Sequence, residues 1–333
     1  MYMKTFWQNK NVLVTGAGGF IGSHLVECLV DQGAHVRAFV RYNSQGEVGH
    51  LSALGSEAFS KLDIVAGDLR DLSAVTSAMN DIHTVFHLGA LIAIPYSYKH
   101  PANVVDSNIL GTMNILLAAR ETKVKRVVHT STSEVYGTAI RVPIDESHPL
   151  QGQSPYSASK IGADKLAESF YCAYDLPVVT IRPFNTYGPR QSTRAVIPTI
   201  ITQALTQDVI YLGNLDATRD LTYVSDTVEG FLCAGEAQKI EGATFNLGVG
   251  YEVKIGELAN QIISCIGRKV EIQVDTSRLR PRKSEVERLL SDNRLAKDKL
   301  SWSPRVNLQE GLLKTIEWIS DHISLYRPSM YQL

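Results

Sequence analysis

Long apolar runs are missing from this chain. Nowhere in its 333 residues do 18 apolar residues follow one another, so no membrane-spanning helix is expected. Residues 1–10 carry no apolar core of the kind a secretory signal has, and a cytoplasmic location is expected. Cysteine is scarce. Cys28, Cys172, Cys233 and Cys265 stand too far apart for a CxxC pair, which argues against a disulfide framework or a zinc knuckle, and buried reduced thiols are expected. The nine histidines form no HExxH pair and no Cys/His cluster, so no metal is expected. Charge of one sign is not in excess either. With 33 Lys and Arg against 34 Asp and Glu the net charge is −1, which gives no electrostatic case for nucleic acid or a membrane surface. Internal repeats and low-complexity tracts are absent too.

What is present is an ordinary globular composition, 44% hydrophobic and 20% charged, on a chain longer than one compact core usually carries. Short Val-rich runs at 11–15, 35–40, 63–66, 84–88, 126–130 and 177–181 read as buried strands. Helix-period segments lie between them at 21–31, 72–80, 104–122 and 155–174. Strand–helix alternation of this kind implies right-handed crossovers and an α/β fold with a doubly wound parallel sheet. After Arg182 the elements shorten and Pro183, Gly188, Pro189, Pro198 and Gly213 punctuate the chain. A smaller second α/β domain is expected there. The division predicted is 1–183 plus about 220–248 for the first domain, and 184–219 plus 249–333 for the second.

Directly after the first strand, Gly16, Gly19 and Gly22 open a helix in TGAGGFIGSHL. A tight turn, close backbone approach to a pyrophosphate and close helix–strand packing all demand glycine, and helix N-terminal amides then hold the phosphates. At the first strand–helix turn this predicts a dinucleotide, NAD or NADP, tightly bound and recycled. The second strand ends in Arg41, Tyr42, Asn43 and Ser44, with none of the acidic residues that hold an NAD ribose. Arg41, Asn43 and Ser44 either meet a 2′-phosphate, favouring NADP, or Arg41 stacks on adenine. Asp68 either accepts from the adenine amino group or caps the following helix. His87, ending the fourth strand, is expected to be structural.

Tyr156 and Lys160 stand four residues apart on the first turns of a helix that Ser154 caps and Pro155 begins, and so share a face. A nearby ammonium favours the phenolate, so Tyr156 is expected to take a hydroxyl proton as hydride leaves the same carbon. Arginines at 190, 194, 219 and 280 are candidates for a substrate diphosphate, because bidentate Arg–phosphate contacts are strong and directional.

With TGAGGFIG, GDL, HLGA, SNILGTMN, STSEVYG, YSASK, RPFNTYGPR and RDLTYVSD, nearly the whole chain resembles the extended short-chain dehydrogenase/reductases; HLGA departs slightly from their usual HxAA. The resemblance implies a Rossmann domain for NAD(P), a C-terminal domain for a nucleotide sugar, and a homodimer built on the helices at 104–122 and 155–174. It implies cofactor contacts from Gly16, Gly19, Phe20, Ile21, Gly22, Arg41, Asn43, Ser44, Asp68, Leu69, Leu88, Gly89, Ala90, Asn108, Thr130, Tyr156, Lys160 and Pro183. Substrate contacts are implied from Tyr96, Thr132, Asn185, Arg190, Arg194, Val196, Arg219, Arg280 and Glu285.

Thr132-Ser133-Glu134 resembles the form found in GDP-mannose 4,6-dehydratases. After oxidation at C4 the C5 proton is acidified by the ketone, and a placed carboxylate can remove it while hydroxide leaves C6. Thr132, Ser133, Glu134, Tyr156 and Lys160 are therefore the expected catalytic set, with Glu134 as acid/base; the other reading of Glu134 is a structural carboxylate at a strand end. The segments AFVRYNS, AIPYSY, PLQGQSPYSASKIGADKLAESF and RQSTRAVIPTII are similar to the NDP-GlcNAc 4,6-dehydratases of the legionaminic-acid pathway. They imply UDP- or GDP-N-acetylglucosamine and a place in bacterial surface-sugar synthesis. A 4-epimerase, a UDP-glucuronate decarboxylase and a non-catalytic NAD(P) sensor are the competing readings.

Overall fold

The computed structural model describes residues 6–326; the outermost parts of the two expected domains, 1–5 and 327–333, lie outside the described residues. Among the described residues fourteen strands follow in chain order. They are β1 Asn11–Thr15, β2 His35–Arg41, β3 Asp63–Gly67, β4 Thr84–His87, β5 Arg126–Thr130, β6 Val178–Pro183, β7 Thr186–Tyr187, β8 Val209–Leu212, β9 Thr218–Asp220, β10 Thr222–Tyr223, β11 Thr244–Leu247, β12 Glu252–Lys254, β13 Glu271–Val274 and β14 Arg288–Leu289. Seven form one parallel sheet in the order β11-β6-β5-β4-β1-β2-β3. The order reverses at β1, as a doubly wound sheet requires, and ligands collect at the carboxyl ends beside such a reversal. Central strands such as β4 are buried throughout, which explains why they read as unbroken apolar runs.

The remaining strands make small sheets, β10-β7, β12-β9-β14 and β13-β8. One hydrophobic cluster runs from Val12, Val14 and Leu25 under the large sheet to Trp302, Leu312 and Ile319 near the C-terminus. Trp302 Nε1 donates to the Asp226 carbonyl at 2.8 Å, joining the two parts of the chain.

Two expectations need correction. The helix predicted over 104–122 is three pieces: Pro101–Val105, a π turn Asp106–Leu110, and Gly111–Thr122. The wide turn carries Asn108 inward, where its side chain accepts from Leu91 N and donates to the Leu91 carbonyl and Ser159 Oγ; such bulges cluster at functional sites. The cysteines are not the buried thiols expected. Cys172 is exposed and the other three are half-buried; Cys172 lies on the helix face opposite the buried Ala163, Ala167 and Phe170.

Candidate functional site

At the first strand–helix turn the chain folds back at Gly16, whose φ is +68°. A Cβ there would meet Gly89 N at 2.8 Å, and one on Gly22 would meet the Gly16 carbonyl oxygen at 2.2 Å. Both contacts are to backbone, which cannot swing away. The helix Phe20–Asp31 starts at Gly19 with no side-chain cap, so its first N–H groups face outward as an anion cradle. The turn after β4 lies against this cradle, with Gly89 N donating to Thr15 Oγ1 at 3.1 Å. His87 is structural, as expected: its Nδ1 meets Thr15 Oγ1 at 2.8 Å and its Nε2 meets Thr112 Oγ1 at 3.1 Å. Thr130 Oγ1, at the carboxyl end of β5, is buried without a protein partner. A backbone cradle with no room for side chains and an orphaned hydroxyl at the next strand end fit a bound dinucleotide.

The far end of this site departs from expectation. Arg41 and Ser44 are exposed, but the Asn43 side chain is spent on its own turn. It accepts from Gln45 N and Glu47 N and donates to the Glu47 carbonyl. A cavity of about 100 Å³ there is lined by Val40, Arg41, Asn43 and Glu47, among others. Sequence reasoning missed Glu47 because it stands six residues beyond β2. Asp68 does not cap the next helix; Asp71 does, accepting from Ser73 N and Ala74 N. Asp68 is instead gripped by Arg70, at 3.0 Å to Nε and 2.6 Å to Nη2. That hydrogen bond holds its carboxyl down at about 2.

Past β5 the chain makes a short 3-10 turn, Ser133–Tyr136, capped by Thr132, whose Oγ1 accepts from Glu134 N at 3.2 Å. Facing it is the helix Pro155–Tyr174, opened by a reciprocal Ser154–Ser157 capping box. Ser133, Glu134, Tyr156 and Lys160 are all buried. Tyr156 lies close enough to Thr132 and to the Glu134 charge for both to act on its phenol, so the strand-end group and the helix pair meet at one place. Burial pushes the Tyr156 phenol up, opposed by the nearby Thr132 hydroxyl. The expected lowering of Tyr156 by Lys160 is not seen: desolvation is the largest influence on the phenol, and the carboxylates of Glu134 and Asp164 raise it further. Burial also brings the Lys160 ammonium down, to about 8.

Beneath this pair lies a network that sequence reasoning missed. Asp164, one turn beyond Lys160, accepts from Ser131 Oγ at 2.7 Å and from Arg182 Nη2 at 3.0 Å, and meets His129 Nε2 at 3.1 Å. Arg182 also donates to Tyr136 Oη, which donates to Asn246. Asp164 and Arg182 line a cavity of about 520 Å³ on the far side, with Glu146, His148 and Thr180. The i, i+4 spacing from Lys160 was the available signal.

The arginines separate into two groups. Arg190 is engaged with the helix after β1. Its φ is +69° and its Nη2 pairs with Glu27 at 2.8 Å on that helix, so it ties the loop after β7 to the helix after β1. Arg194 is exposed, reaching Ser192 Oγ at 3.3 Å, and Val196 begins the helix Val196–Thr206. Arg219 and Arg280 lie near the Ser133–Tyr136 turn, Arg280 directly against Glu134. Arg219 lies 3.5 Å from Glu285 Oε1, and Arg280 Nη1 lies 3.6 Å from Glu134 Oε2. Asn185 Oδ1 is buried and unpartnered, whereas Tyr96 Oη accepts from Asn103. Leu69 and Leu88 pack against the core clusters, and Pro183 closes β6. Among the described residues no His, Cys, Asp and Glu group has the geometry to hold a metal, and no helix is long and apolar enough to cross a membrane.

The family model described as GDP-mannose 4,6 dehydratase matches residues 13–315. A UDP-glucose 4-epimerase of Mycolicibacterium smegmatis is 36% identical over 313 residues, 92% of this chain and 97% of that protein. The human dTDP-D-glucose 4,6-dehydratase is 31% identical over 324 residues, 94% of this chain and 91% of that protein. Among solved structures, a double mutant of DesIV, the dTDP-glucose 4,6-dehydratase of Streptomyces venezuelae with NAD bound, aligns with a TM-score of 0.85 at 28% identity. It covers 95% of this chain and 99% of that one.

Proposed function

This chain belongs to the GDP-mannose 4,6-dehydratase family of extended short-chain dehydrogenase/reductases, and from that premise we propose that it removes water from a nucleotide hexose to leave the 4-keto-6-deoxy sugar. The observation that carries the reading is the meeting of buried Glu134 and Tyr156 with half-buried Thr132 at the end of β5. A plain oxidoreductase has no use for the carboxylate.

Gly16, Gly19, Gly22 and the helix amides would hold the dinucleotide, with Lys160 on its ribose. Bound nicotinamide would accept hydride from C4 and return it to C6. Thr132 holds the oxygen on C4. Tyr156, acting as the phenolate with the Lys160 ammonium as its counter-charge, takes the proton of the 4-hydroxyl. Glu134 removes the acidified C5 proton and delivers it to the departing hydroxyl, so that water leaves. The proton that Tyr156 took from O4 returns through Glu134 to C5 as C6 is reduced, so both groups end as they began and the balance is loss of one water with no net redox.

The proposed substrate is UDP- or GDP-N-acetylglucosamine, supported only by the resemblance of the segments AFVRYNS, AIPYSY, PLQGQSPYSASKIGADKLAESF and RQSTRAVIPTII, with a role in surface-sugar synthesis. NADP is proposed over NAD on Arg41 alone, now that Asn43 is occupied. The proposed homodimer pairs the helices Gly111–Thr122 and Pro155–Tyr174, which lie side by side and leave Leu110 and Tyr174 exposed. The proposed domain division is the one stated above.

Incubation with both nucleotide sugars, followed by mass spectrometry, tests the reaction. Loss of one water is expected, while Glu134→Gln loses the elimination by about 10²–10⁴-fold yet still lets substrate reduce the cofactor in part. Full turnover by that variant overturns the assignment. A second reading, a 4-epimerase, is supported by the relative from M. smegmatis; it predicts unchanged mass and an inverted C4.

A further inference from the structure

Four charged side chains meet beside the catalytic turn: Glu134, Arg219, Arg280 and Glu285. Arg219 is buried, donates to the Thr218 carbonyl at 2.8 Å and lies 3.5 Å from Glu285. Arg280 is held differently. Its contact with Glu134 is 3.6 Å, too long for a hydrogen bond, and its Nη1 is buried with no hydrogen-bond partner. The cluster is neutral, two cations against two carboxylates. A diphosphate entering it brings a net negative charge and competes with the carboxylates for the same guanidinium N–H groups. The loosely held cation is the one that moves.

The segment bearing Arg280 is fastened around it. Tyr98 Oη lies 2.6 Å from Ser284 Oγ, which donates to the Gln153 carbonyl, and Thr138 Oγ1 donates to the Glu285 carbonyl at 3.2 Å. These bonds tie residues 284 and 285, which follow Arg280 by four and five positions, to residues 98, 138 and 153.

We propose that Arg280 is a shared cation, a positioning residue that holds Glu134 until the nucleotide diphosphate takes it over, so that capture of the nucleotide and release of the base are one event. The proposal rests on the nucleotide-sugar reading. It gives Glu134 a counter-charge while the pocket is empty and removes it when a hexose arrives, and it places a penalty on diphosphate binding that the carboxylate itself imposes.

Calorimetric titration of the cofactor-loaded enzyme with UDP and with GDP tests this. Glu134→Gln keeps the shape and removes the competitor, and the preferred nucleotide is expected to bind about tenfold tighter, equivalent to about 1.4 kcal/mol. Arg280→Ala is expected to bind it at least about tenfold more weakly, and in that background Glu134→Gln should change nothing. Arg280→Lys, which keeps the charge without the fork, restores part of the affinity, and it replaces the alanine variant should that one fail to melt cooperatively. Unchanged or weaker binding by Glu134→Gln overturns the exchange alone, as does a Glu134 effect that persists undiminished without Arg280. Binding of neither nucleotide to the unaltered enzyme overturns the nucleotide-sugar reading and this proposal with it.

Discussion

The cofactor end and the substrate end of this molecule are built by different means. Around Gly16, Gly22 and Gly89 the surface is backbone, fixed by a positive φ and by approaches that leave no space for a Cβ. Around Glu134 it is side-chain charge, brought together from residues 134, 219, 280 and 285. The first kind of site is rigid and reads from a few consecutive letters. The second depends on which charge reaches which, and its members can change partners.

Breaking the two ends should therefore give different signatures. The largest stability effect belongs at the junction beneath them: Asp164→Asn strips the buried Arg182 and His129 of their carboxylate and should cost about 3 kcal/mol, read as a lower urea midpoint at constant slope. Next comes Gly22→Ala, whose Cβ would fall 2.2 Å from the Gly16 carbonyl oxygen. About 2 kcal/mol of stability and most of the cofactor affinity should go together, seen by thermal denaturation and nicotinamide absorbance of the purified protein; a variant that keeps full cofactor would show the turn to be softer than its geometry.

Arg190→Gln should behave in the opposite way to a substrate arginine. Loss of its pair with Glu27 lowers stability by about 1 kcal/mol, while nucleotide affinity by calorimetry stays unchanged. Weakened nucleotide binding would return Arg190 to the substrate side. The smallest effect is on the pH profile. Burial holds Lys160 at about 8 instead of 10.5. The ammonium is present below that value and lost above it, so kcat should fall as pH rises through about 8 and level off beyond; a profile flat to pH 10 would remove Lys160 from the reaction.

Much of the sheet was legible because its strands are buried on both faces and therefore Val-rich without alternation: β1 and β5 were read with their observed limits. Tyr156, Lys160 and Glu134 were legible because a helix cap, an i, i+4 spacing and a strand end are local facts. The π turn at Asn108 was not, since nothing in SNILGTMN distinguishes a wide turn from a regular one until Leu91 and Ser159 arrive to bond the side chain. The expected depression of Tyr156 failed for a related reason, because the depth of burial that raises its phenol is a property of the assembled pocket. Arg41, Asn43 and Ser44 looked alike in sequence, and only the folded turn showed Asn43 to be engaged.

By itself the sequence determined the alternating sheet, the glycine turn and the Tyr156–Lys160 face, because backbone conformation and helical spacing are set by residues a few positions apart. Only the tertiary structure decided that Arg190 serves Glu27, that Arg280 reaches Glu134, and that Asp164 lies at the centre of a buried network. Coulomb attraction and desolvation depend on distance through space and on depth beneath the surface, and neither quantity exists until the chain has closed on itself.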